Sequence, residues 1–197
     1  MYTIGLTGGS GTGKSYVAGI FEKYGIKSIN TDIIAAEVCK KETPCLYEIK
    51  DWFGGTVLNA DGTLNRRLLG NIVFSDKQKL NKLNEITHKY ILAECKEIIK
   101  EYAKSDCFAA LVDAPLLFES KFNYLCDYII SVAADTEVRI MRITERDGIT
   151  EEAALKRIEN QHDNNFFINN SDYIIYNNPY NNVHLQIDLI NQQLRWV

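Results

Sequence analysis

The stretch Gly8-Gly-Ser-Gly-Thr-Gly-Lys-Ser15 decides the fold, because it satisfies the pattern G-x-x-x-x-G-K-[ST] of a phosphate-binding loop. It follows a run with the character of a β-strand, Tyr2–Thr7, and precedes a helical run over Tyr16–Lys23. Glycines let such a loop turn its N–H groups toward phosphate oxygens, and the following helix adds partial positive charge at its N-terminus. A glycine-rich turn that matches by chance is the alternative, but the order strand, loop, helix favours a phosphate loop.

The motif predicts roles for its own residues. Lys14 is expected to reach the β- and γ-phosphates and to spread the charge on the transferred group, and the Ser15 hydroxyl is expected to ligate Mg²⁺. The nucleotide-binding residues predicted for the loop and the first helical turn are Gly8, Gly11, Thr12, Gly13, Lys14, Ser15 and Tyr16. The motif therefore predicts a bound nucleoside triphosphate with Mg²⁺, and by itself it leaves kinases, GTPases and motor ATPases open.

Four further β-rich runs accompany the first one. They are Lys27–Asn30, Phe108–Val112, Tyr128–Val132 and Tyr173–Tyr176. Helical patterns lie between them, and strands that alternate with helices indicate a parallel sheet covered on both faces. The sequence thus predicts a three-layer α/β P-loop fold with a five-stranded parallel sheet. Two asparagine-rich segments, 164–170 and 177–182, are predicted to be loops.

The segment between the second and third predicted strands is too long for a plain connection. Residues 33–104 show a mostly helical pattern, with apolar residues at three- and four-residue steps toward the end. We therefore predict a nucleotide-binding core over 1–32 and 105–197, with a helical subdomain inserted over 33–104 and a helical region over 137–160 within the core.

Composition excludes several classes of protein. The 22 Lys and Arg against 26 Asp and Glu in 197 residues give a formal net charge of −4, which disfavours a sequence-independent nucleic-acid binder. No apolar stretch approaches the ~20 residues needed to cross a bilayer, and the N-terminus lacks the pattern of a secretory signal. The five cysteines include no Cys-x-x-Cys pair, so we expect buried or incidental thiols. The predicted location is the cytoplasm, with no membrane, nucleic-acid or obligate protein partner.

Two aspartates follow predicted strands at the sheet edge where ligands of parallel α/β proteins bind. Asp32 comes after the second strand, where a carboxylate can accept the proton of an attacking hydroxyl. It is also in position to cap a helix beginning at Ile33, and both interpretations stay open. Asp113 closes the third strand and resembles the acidic position that orients Mg²⁺ in P-loop enzymes; a turn carboxylate before Pro115 is the alternative.

Three arginines, Arg139, Arg142 and Arg146, fall at three- and four-residue spacing on one face of a predicted helix. Like charges so placed destabilise an isolated helix by roughly 0.2–0.5 kcal/mol. Unless Glu137 and Glu145 neutralise them, an anion is expected to approach this face. We therefore predict that Arg142 stabilises the transferring phosphoryl group and that Arg146 binds the nucleotide, with a solvated charged face as the alternative.

Other nucleotide-binding classes fit less well. The nearest match to the guanine-reading Asn-Lys-x-Asp is Asn81-Lys-Leu-Asn84, which lacks the aspartate and lies in an amphipathic helix. Asp51-Trp-Phe-Gly54 fits the loose pattern Asp-x-x-Gly, but no apolar strand leads into it. A GTPase-like switch is therefore a weak alternative, while a kinase acting on another small molecule, such as a nucleoside or nucleotide, shares every feature of the phosphate loop.

Over nearly its whole length the chain resembles the dephospho-CoA kinase family. The segments that carry the resemblance, beside the phosphate loop, are Asp61-Gly-Thr-Leu-Asn-Arg66, Pro115-Leu-Leu-Phe-Glu119, Arg142-x-x-x-Arg146-Asp147, Arg157-Ile-x-x-Gln161 and Asp172-Tyr-Ile-Ile-x-Asn177. Four positions depart from the family's usual residues. Asn30 and Asn65 replace aspartates, Lys89 replaces a proline, and Arg139 replaces a glutamine, so Asp32 is the remaining carboxylate for the base role and the helix is expected to continue past His88.

The resemblance implies phosphorylation of the ribose 3′-hydroxyl of dephospho-CoA, with ATP as phosphoryl donor and Mg²⁺ as cofactor. It implies that the insertion over 33–104 binds the acceptor and that 137–160 forms a helical lid. It also implies that Arg66 and His88 bind or orient this acceptor and that Asn177 contacts the adenine of ATP. Taken without the family, Arg66 fits a surface cation, His88 a histidine on a helix face, and Asn177 a turn residue.

Overall fold

The structure is a computed structural model, and it describes residues 1–105 and 107–194. The chain divides into two compact units, one formed by Met1–Ile29 with Ile99–Val197 and the other by Asn30–Ile98. The core segment predicted over 105–197 includes residue 106 and residues 195–197, which lie outside the described ranges.

The first unit is built on the predicted five-stranded sheet. Its strands are β1 (Tyr2–Thr7), β2 (Lys27–Asn30), β3 (Ala109–Asp113), β4 (Tyr128–Ala133) and β5 (Tyr173–Tyr176), in the order β2-β3-β1-β4-β5. The pairings of β1 with β3, of β1 with β4 and of β4 with β5 are parallel. The predicted α/β fold is therefore confirmed, and each predicted strand lies within one residue of its observed bounds.

Helices account for most of the remaining described residues. They are α1 (Lys14–Lys23), α2 (Thr31–Val38), α3 (Pro44–Phe53), α4 (Arg66–Phe74), α5 (Lys77–Ala103), α6 (Thr136–Asp147), α7 (Glu151–Glu159), α8 (Asn164–Asn169) and α9 (Val183–Leu194). Within the described ranges, none of them is long and apolar enough to cross a membrane.

The core of the first unit lies between the sheet and the helices α1 and α9. β1 contributes Ile4 and Leu6, which are fully buried, and α1 contributes Val17 and Phe21. Burial of each large apolar side chain is worth about 1.5–3 kcal/mol relative to exposure. This packing fixes the position of α1 on the sheet and hence the position of the loop that precedes it.

The prediction of a loop over 164–170 was wrong, because helix α8 occupies most of this segment. The side chain of Asp163 caps the helix by accepting the N–H of Phe166 at 2.8 Å. The rings of Phe166 and Phe167 then pack against Phe118, with centroid separations of 5.3 and 6.4 Å. Capping and aromatic packing thus outweigh the turn preference of the asparagines. The second predicted loop, 177–182, is confirmed.

The second unit has a core of its own. The side chains buried in it are Cys39, Cys45, Ile49, Val57, Leu69, Val73 and Ile86. The sulfur atoms of Cys39 and Cys45 lie 3.8 Å apart, and both residues are free thiols, as predicted. Helix α5 runs unbroken past His88 and Lys89, which confirms that the helix continues where the family usually has a proline.

Phe21→Ala tests the anchoring of α1. Phe21 is 0% exposed, so its truncation leaves a cavity in the core, and we expect a loss of about 3–5 kcal/mol in the free energy of unfolding. The measurement is urea unfolding followed by circular dichroism. The matched control is Tyr124→Ala at a ring that is 81% exposed, which should stay within about 0.5 kcal/mol of wild type. Equal losses in the two variants would contradict this account of the core.

Candidate active site

The segment between β1 and α1 has the conformation of an anion-binding loop. Gly8, Gly11 and Gly13 have φ angles of 146°, 79° and 87°, values that residues with a side chain rarely adopt. The loop closes on itself where Thr12 donates its N–H and its hydroxyl to the Gly9 carbonyl, at 3.3 and 2.9 Å. These turns lead the chain directly into α1, so that the N–H groups of the first helical turn lie next to the loop.

These first-turn N–H groups are available to an anion. The first four N–H groups of a helix have no partner within the helix. In the described part of the chain, the N–H groups of Gly13, Lys14 and Ser15 donate to no protein acceptor. The helix N-terminus also carries partial positive charge, so this end of α1 can bind a phosphate group.

Side chains from outside the loop bind its carbonyl oxygens. Arg142 of α6 donates to the carbonyls of Gly11 and Thr12, both at 3.3 Å, and to the carbonyl of Asn177 at 2.9 Å. Asn177, the residue after β5, donates its side-chain N–H to the Thr12 carbonyl at 2.8 Å. The structure therefore brings two predicted site residues, Arg142 and Asn177, directly onto the loop.

Lys14 and Asp113 form a buried ion pair beside the loop. Their side chains are 12% and 5% exposed. They meet because β1 and β3 are neighbours in register, with Leu6 opposite Asp113, while Lys14 begins the helix that follows β1. In this position the amine can neutralise a phosphate group, and the carboxylate can provide an oxygen ligand for a cation.

A cavity of about 820 Å³ adjoins the loop. It is lined by Gly13, Tyr16, Arg142 and Asn177, by residues 178–182 of the segment that leads into α9, and by the first two residues of α9, Val183 and His184. Tyr180 donates its hydroxyl to Asp135 at 2.6 Å, and this hydrogen bond raises the pKa of Tyr180. Asn178 accepts the N–H of Asp135 at 2.8 Å, so the segment is tied to the start of α6.

The cavity includes residues that sequence reasoning did not select. Residues 178–182 were predicted as part of a loop without a role in binding, and Val183 and His184 were given no role, although their position after β5 carried a usable signal. Ligands of parallel α/β proteins bind beyond the carboxyl ends of the strands, and β5 ends at this edge beside β4.

The three arginines of α6 have different surroundings. Arg139 is 2% exposed and donates to the carbonyl of Ser10 at 2.9 Å. Arg146 instead pairs with Asp147 at 2.8 Å and does not line the cavity. Asp147 also pairs with Arg157, and hydrogen bonds from Arg146 and then Arg157 hold the pKa of this carboxyl far below its usual value. Nucleotide binding by Arg146 stays a prediction.

Asp32 is not the helix cap that the sequence left open. Helix α2 begins at Thr31, and its cap is Asn30, whose side-chain oxygen accepts the N–H groups of Asp32 and Ile33 at 2.9 and 3.1 Å. The exposed carboxylate of Asp32 lies in the first turn, where the helix dipole favours it, and accepts no hydrogen bond in the described part of the chain. The interpretation of Asp32 as a helix cap is therefore excluded, and its role as the catalytic base stays a prediction.

The other two acceptor-binding candidates also lie in the second unit. Arg66 is exposed at the first position of α4, which Asn65 caps by accepting the N–H of Leu68 at 3.0 Å. Asparagine and aspartate cap helices about equally well, so the departure from the family at this position preserves the local structure. His88 is half-buried in α5.

The fold and the loop together define a P-loop kinase. A glycine loop joins a strand of a parallel sheet to a helix that begins with Lys14, and arginines of α6 converge on this loop. The family model of dephospho-CoA kinase matches residues 2–182. The chain therefore belongs to the dephospho-CoA kinase family.

Individual relatives agree with this assignment. A curated dephospho-CoA kinase from Listeria monocytogenes serotype 4b is 42% identical over 176 residues, which cover 89% of this chain and 88% of the relative. The solved dephospho-CoA kinase of Campylobacter jejuni superposes with a TM-score of 0.71 at 29% identity, covering 98% of this chain and 96% of that one. A crystal structure of a Thermus thermophilus protein gives a TM-score of 0.79 at 25% identity, with coverages of 98% and 96%.

Gly13→Ala tests the geometry of the loop. A methyl group at this position would meet the side-chain nitrogen of Asn177, and the φ of 87° is unfavourable for alanine. We expect the Kd of a non-hydrolysable ATP analogue, measured by calorimetry, to rise about tenfold or more, since roughly 1.4 kcal/mol of strain suffices. Gly19→Ala in the same helix is the control, because its added methyl group meets no atom within 4 Å and should leave the Kd unchanged. Equal affinity of both variants would refute this role of Gly13.

Proposed function

We propose that this protein transfers the γ-phosphoryl group of ATP to the ribose 3′-hydroxyl of dephospho-CoA, yielding coenzyme A and ADP. Two independent lines support this function. The chain belongs to the dephospho-CoA kinase family over residues 2–182, and the loop between β1 and α1 presents N–H groups to an anion beside a cavity of nucleotide size. Membership of the family is the observation that carries the proposal, because the anion-binding loop alone is shared with other small-molecule kinases.

The nucleotide is expected to bind with its phosphates in the loop and its nucleoside in the adjoining cavity. The N–H groups of Gly13, Lys14 and Ser15 bind the phosphate oxygens. The ammonium group of Lys14 leaves Asp113 and pairs with the β- and γ-phosphates instead. Tyr16 and Asn177 line the space for the base and ribose. Gly8, Gly11 and Thr12 give the loop its shape.

Ser15 and Asp113 would hold Mg²⁺, which supplies charge neutralisation on the phosphates when it is bound. A hydroxyl and a carboxylate are the hard oxygen ligands that this cation prefers, so the residues present fit it. Both residues adjoin the loop, Ser15 at its end and Asp113 through its pairing with Lys14.

Arg142 is the arginine placed to stabilise the phosphoryl group in transfer. It already contacts the loop and lines the cavity, and a planar guanidinium can bind phosphate oxygens through two N–H groups. Arg146 is assigned to the same nucleotide through the family pattern, which requires it to leave Asp147 when the nucleotide binds.

The second unit supplies the acceptor side. Asp32 accepts the proton of the 3′-hydroxyl, while Arg66 and His88 bind or orient dephospho-CoA, as the family resemblance implies. We propose that this reaction takes place in the cytoplasm.

One assay identifies the acceptor. Purified protein with ATP and Mg²⁺ is offered dephospho-CoA, a set of nucleosides and nucleotides, or no acceptor, while ADP release is followed. We expect release to be stimulated by dephospho-CoA alone, with coenzyme A as the second product by mass spectrometry. Stimulation only by nucleosides or nucleotides would replace this function with that of another small-molecule kinase, and ATP binding without stimulation would indicate a nucleotide switch.

Asp32→Asn tests the base. The substitution removes the proton acceptor but preserves the shape of the side chain, and the cap of α2 belongs to Asn30, so the fold should be retained. We expect kcat to fall about 10²-fold or more, as is typical for loss of a general base, with the Kd of the ATP analogue unchanged.

The matched control is Asp61→Asn, at an exposed aspartate whose side chain accepts from Thr63 in a turn of the same unit. It should retain wild-type kcat. If Asp32→Asn turned over at a near-normal rate, Asp32 would have no part in proton transfer.

A further inference from the structure

A buried arginine without an assigned role lies against the phosphate loop. Arg139 of α6 is 2% exposed, and its Nε donates to the carbonyl oxygen of Ser10 at 2.9 Å. One of its terminal nitrogens donates to the side-chain oxygen of Gln161, beyond the end of α7, at 3.4 Å. The guanidinium thus links the loop to the segment that follows α7.

Gln161 completes a closed set of hydrogen bonds around one residue of the loop. Its side-chain oxygen accepts the N–H of Ser10 at 2.8 Å, and its side-chain nitrogen donates to the Ser10 hydroxyl at 3.1 Å. The N–H, the carbonyl and the hydroxyl of Ser10 are therefore all bound by Arg139 or Gln161. Ser10 lies between two glycines, where the backbone would otherwise have the greatest freedom to rotate.

The loop also packs directly on Arg139. A Cβ atom added at Gly9 would meet the terminal guanidinium nitrogen of Arg139, and one added at Gly11 would lie 2.7 Å from the Arg139 carbonyl oxygen. The loop therefore has no space to shift toward α6. A side chain at either position would collide with Arg139, so the two glycines allow the loop to lie close to α6 on both sides of Ser10.

The charge of Arg139 has no acidic partner in the described ranges. Its guanidinium donates to a backbone carbonyl and to an amide oxygen, and burial lowers its pKa. A buried charge without a counter-ion is costly, so an arginine at this place needs a compensating role. An anion bound in the loop would supply the missing negative charge.

We propose that Arg139 and Gln161 act together as positioning residues for nucleotide binding, by clamping Ser10 so that the phosphate loop is held in its anion-binding form. Neither residue needs to touch the nucleotide, since both act through the loop backbone. The inference rests on the ATP-binding part of the proposed function and adds a pair of residues that determines how tightly ATP is bound.

A double-mutant cycle tests the clamp. The variants are Arg139→Met, Gln161→Met and their combination, because methionine keeps an unbranched side chain, matches glutamine in length and removes every hydrogen bond. The control is Lys23→Met, at an exposed lysine in the last turn of α1, which removes one positive charge at the end of the helix opposite the loop. Calorimetry gives the Kd of the imido analogue of ATP with Mg²⁺, steady-state kinetics gives the KM for ATP and for dephospho-CoA, and thermal unfolding verifies the fold.

We expect the Kd to rise about tenfold or more in Arg139→Met and about threefold in Gln161→Met, since a hydrogen bond to a charged group is worth more than a neutral one. The double variant should be within about twofold of Arg139→Met, because both side chains hold the same residue. The KM for ATP should follow the Kd, while the KM for dephospho-CoA stays within about twofold of wild type. Lys23→Met should match wild type throughout.

The proposal is overturned if folded single variants bind the analogue within about twofold of wild type, or if their effects multiply in the double variant. Should Arg139→Met fail to fold, Gln161→Met decides alone, since Gln161 is exposed and its substitution is tolerable. A wild-type protein that binds ATP but does not phosphorylate dephospho-CoA would refute the proposed function and leave this test intact.

Discussion

Hydrogen bonds to three successive carbonyl oxygens are the constraint on which the site depends. The carbonyls of Ser10, Gly11 and Thr12 are bound by side chains of Arg139, Arg142 and Asn177. In a trans peptide group the N–H and the carbonyl point in opposite directions, so holding these carbonyls directs the N–H groups of Gly11, Thr12 and Gly13 away from the supporting side chains. Thr12 closes the loop onto the Gly9 carbonyl, and the Gly13 N–H lies beside the first-turn N–H groups of α1. The anion site is thus shaped by what surrounds the loop as much as by the loop itself.

The sheet brings the other charged groups to the same place. β1 and β3 are paired in register, and this register sets Asp113 beside the lysine that begins α1. Helix α1 is in turn held by the apolar core beneath it, through Phe21 and its neighbours. Packing in the core therefore determines electrostatics at the site, and the proposed chemistry of phosphoryl transfer depends on both.

Much of this arrangement was predictable from the sequence, because its signals are local. The glycine motif, the strand and the helix that flank it, and the alternation of strands with helices are each visible within short windows. Asp32 shows the limit of such signals. The sequence allowed Asp32 to be either a helix cap or a catalytic base. The structure places the cap two residues earlier, at Asn30, so Asp32 is not the cap.

Other features depend on tertiary contacts and were out of reach. Arg139, Arg142 and Arg146 look alike on a helical face, yet one is buried against Ser10, one binds two loop carbonyls and one pairs with Asp147. Helix α8 was missed because the turn preference of its asparagines was given more weight than the capping aspartate before it. The cavity-lining residues after β5 were missed because tertiary contacts determine the positions of loop side chains.

The close contacts of Gly9 and Gly11 with Arg139 have a consequence for how this sequence is able to change. A larger residue at Gly9 meets side-chain atoms of Arg139 and Gln161, whereas one at Gly11 meets backbone atoms of Arg139 that no substitution in α6 removes. A second substitution in α6 can therefore make room for a larger residue at Gly9, but not at Gly11. Variation tolerated around the loop should accordingly be concentrated in the helix that supports it, with Gly11 fixed by the path of the chain.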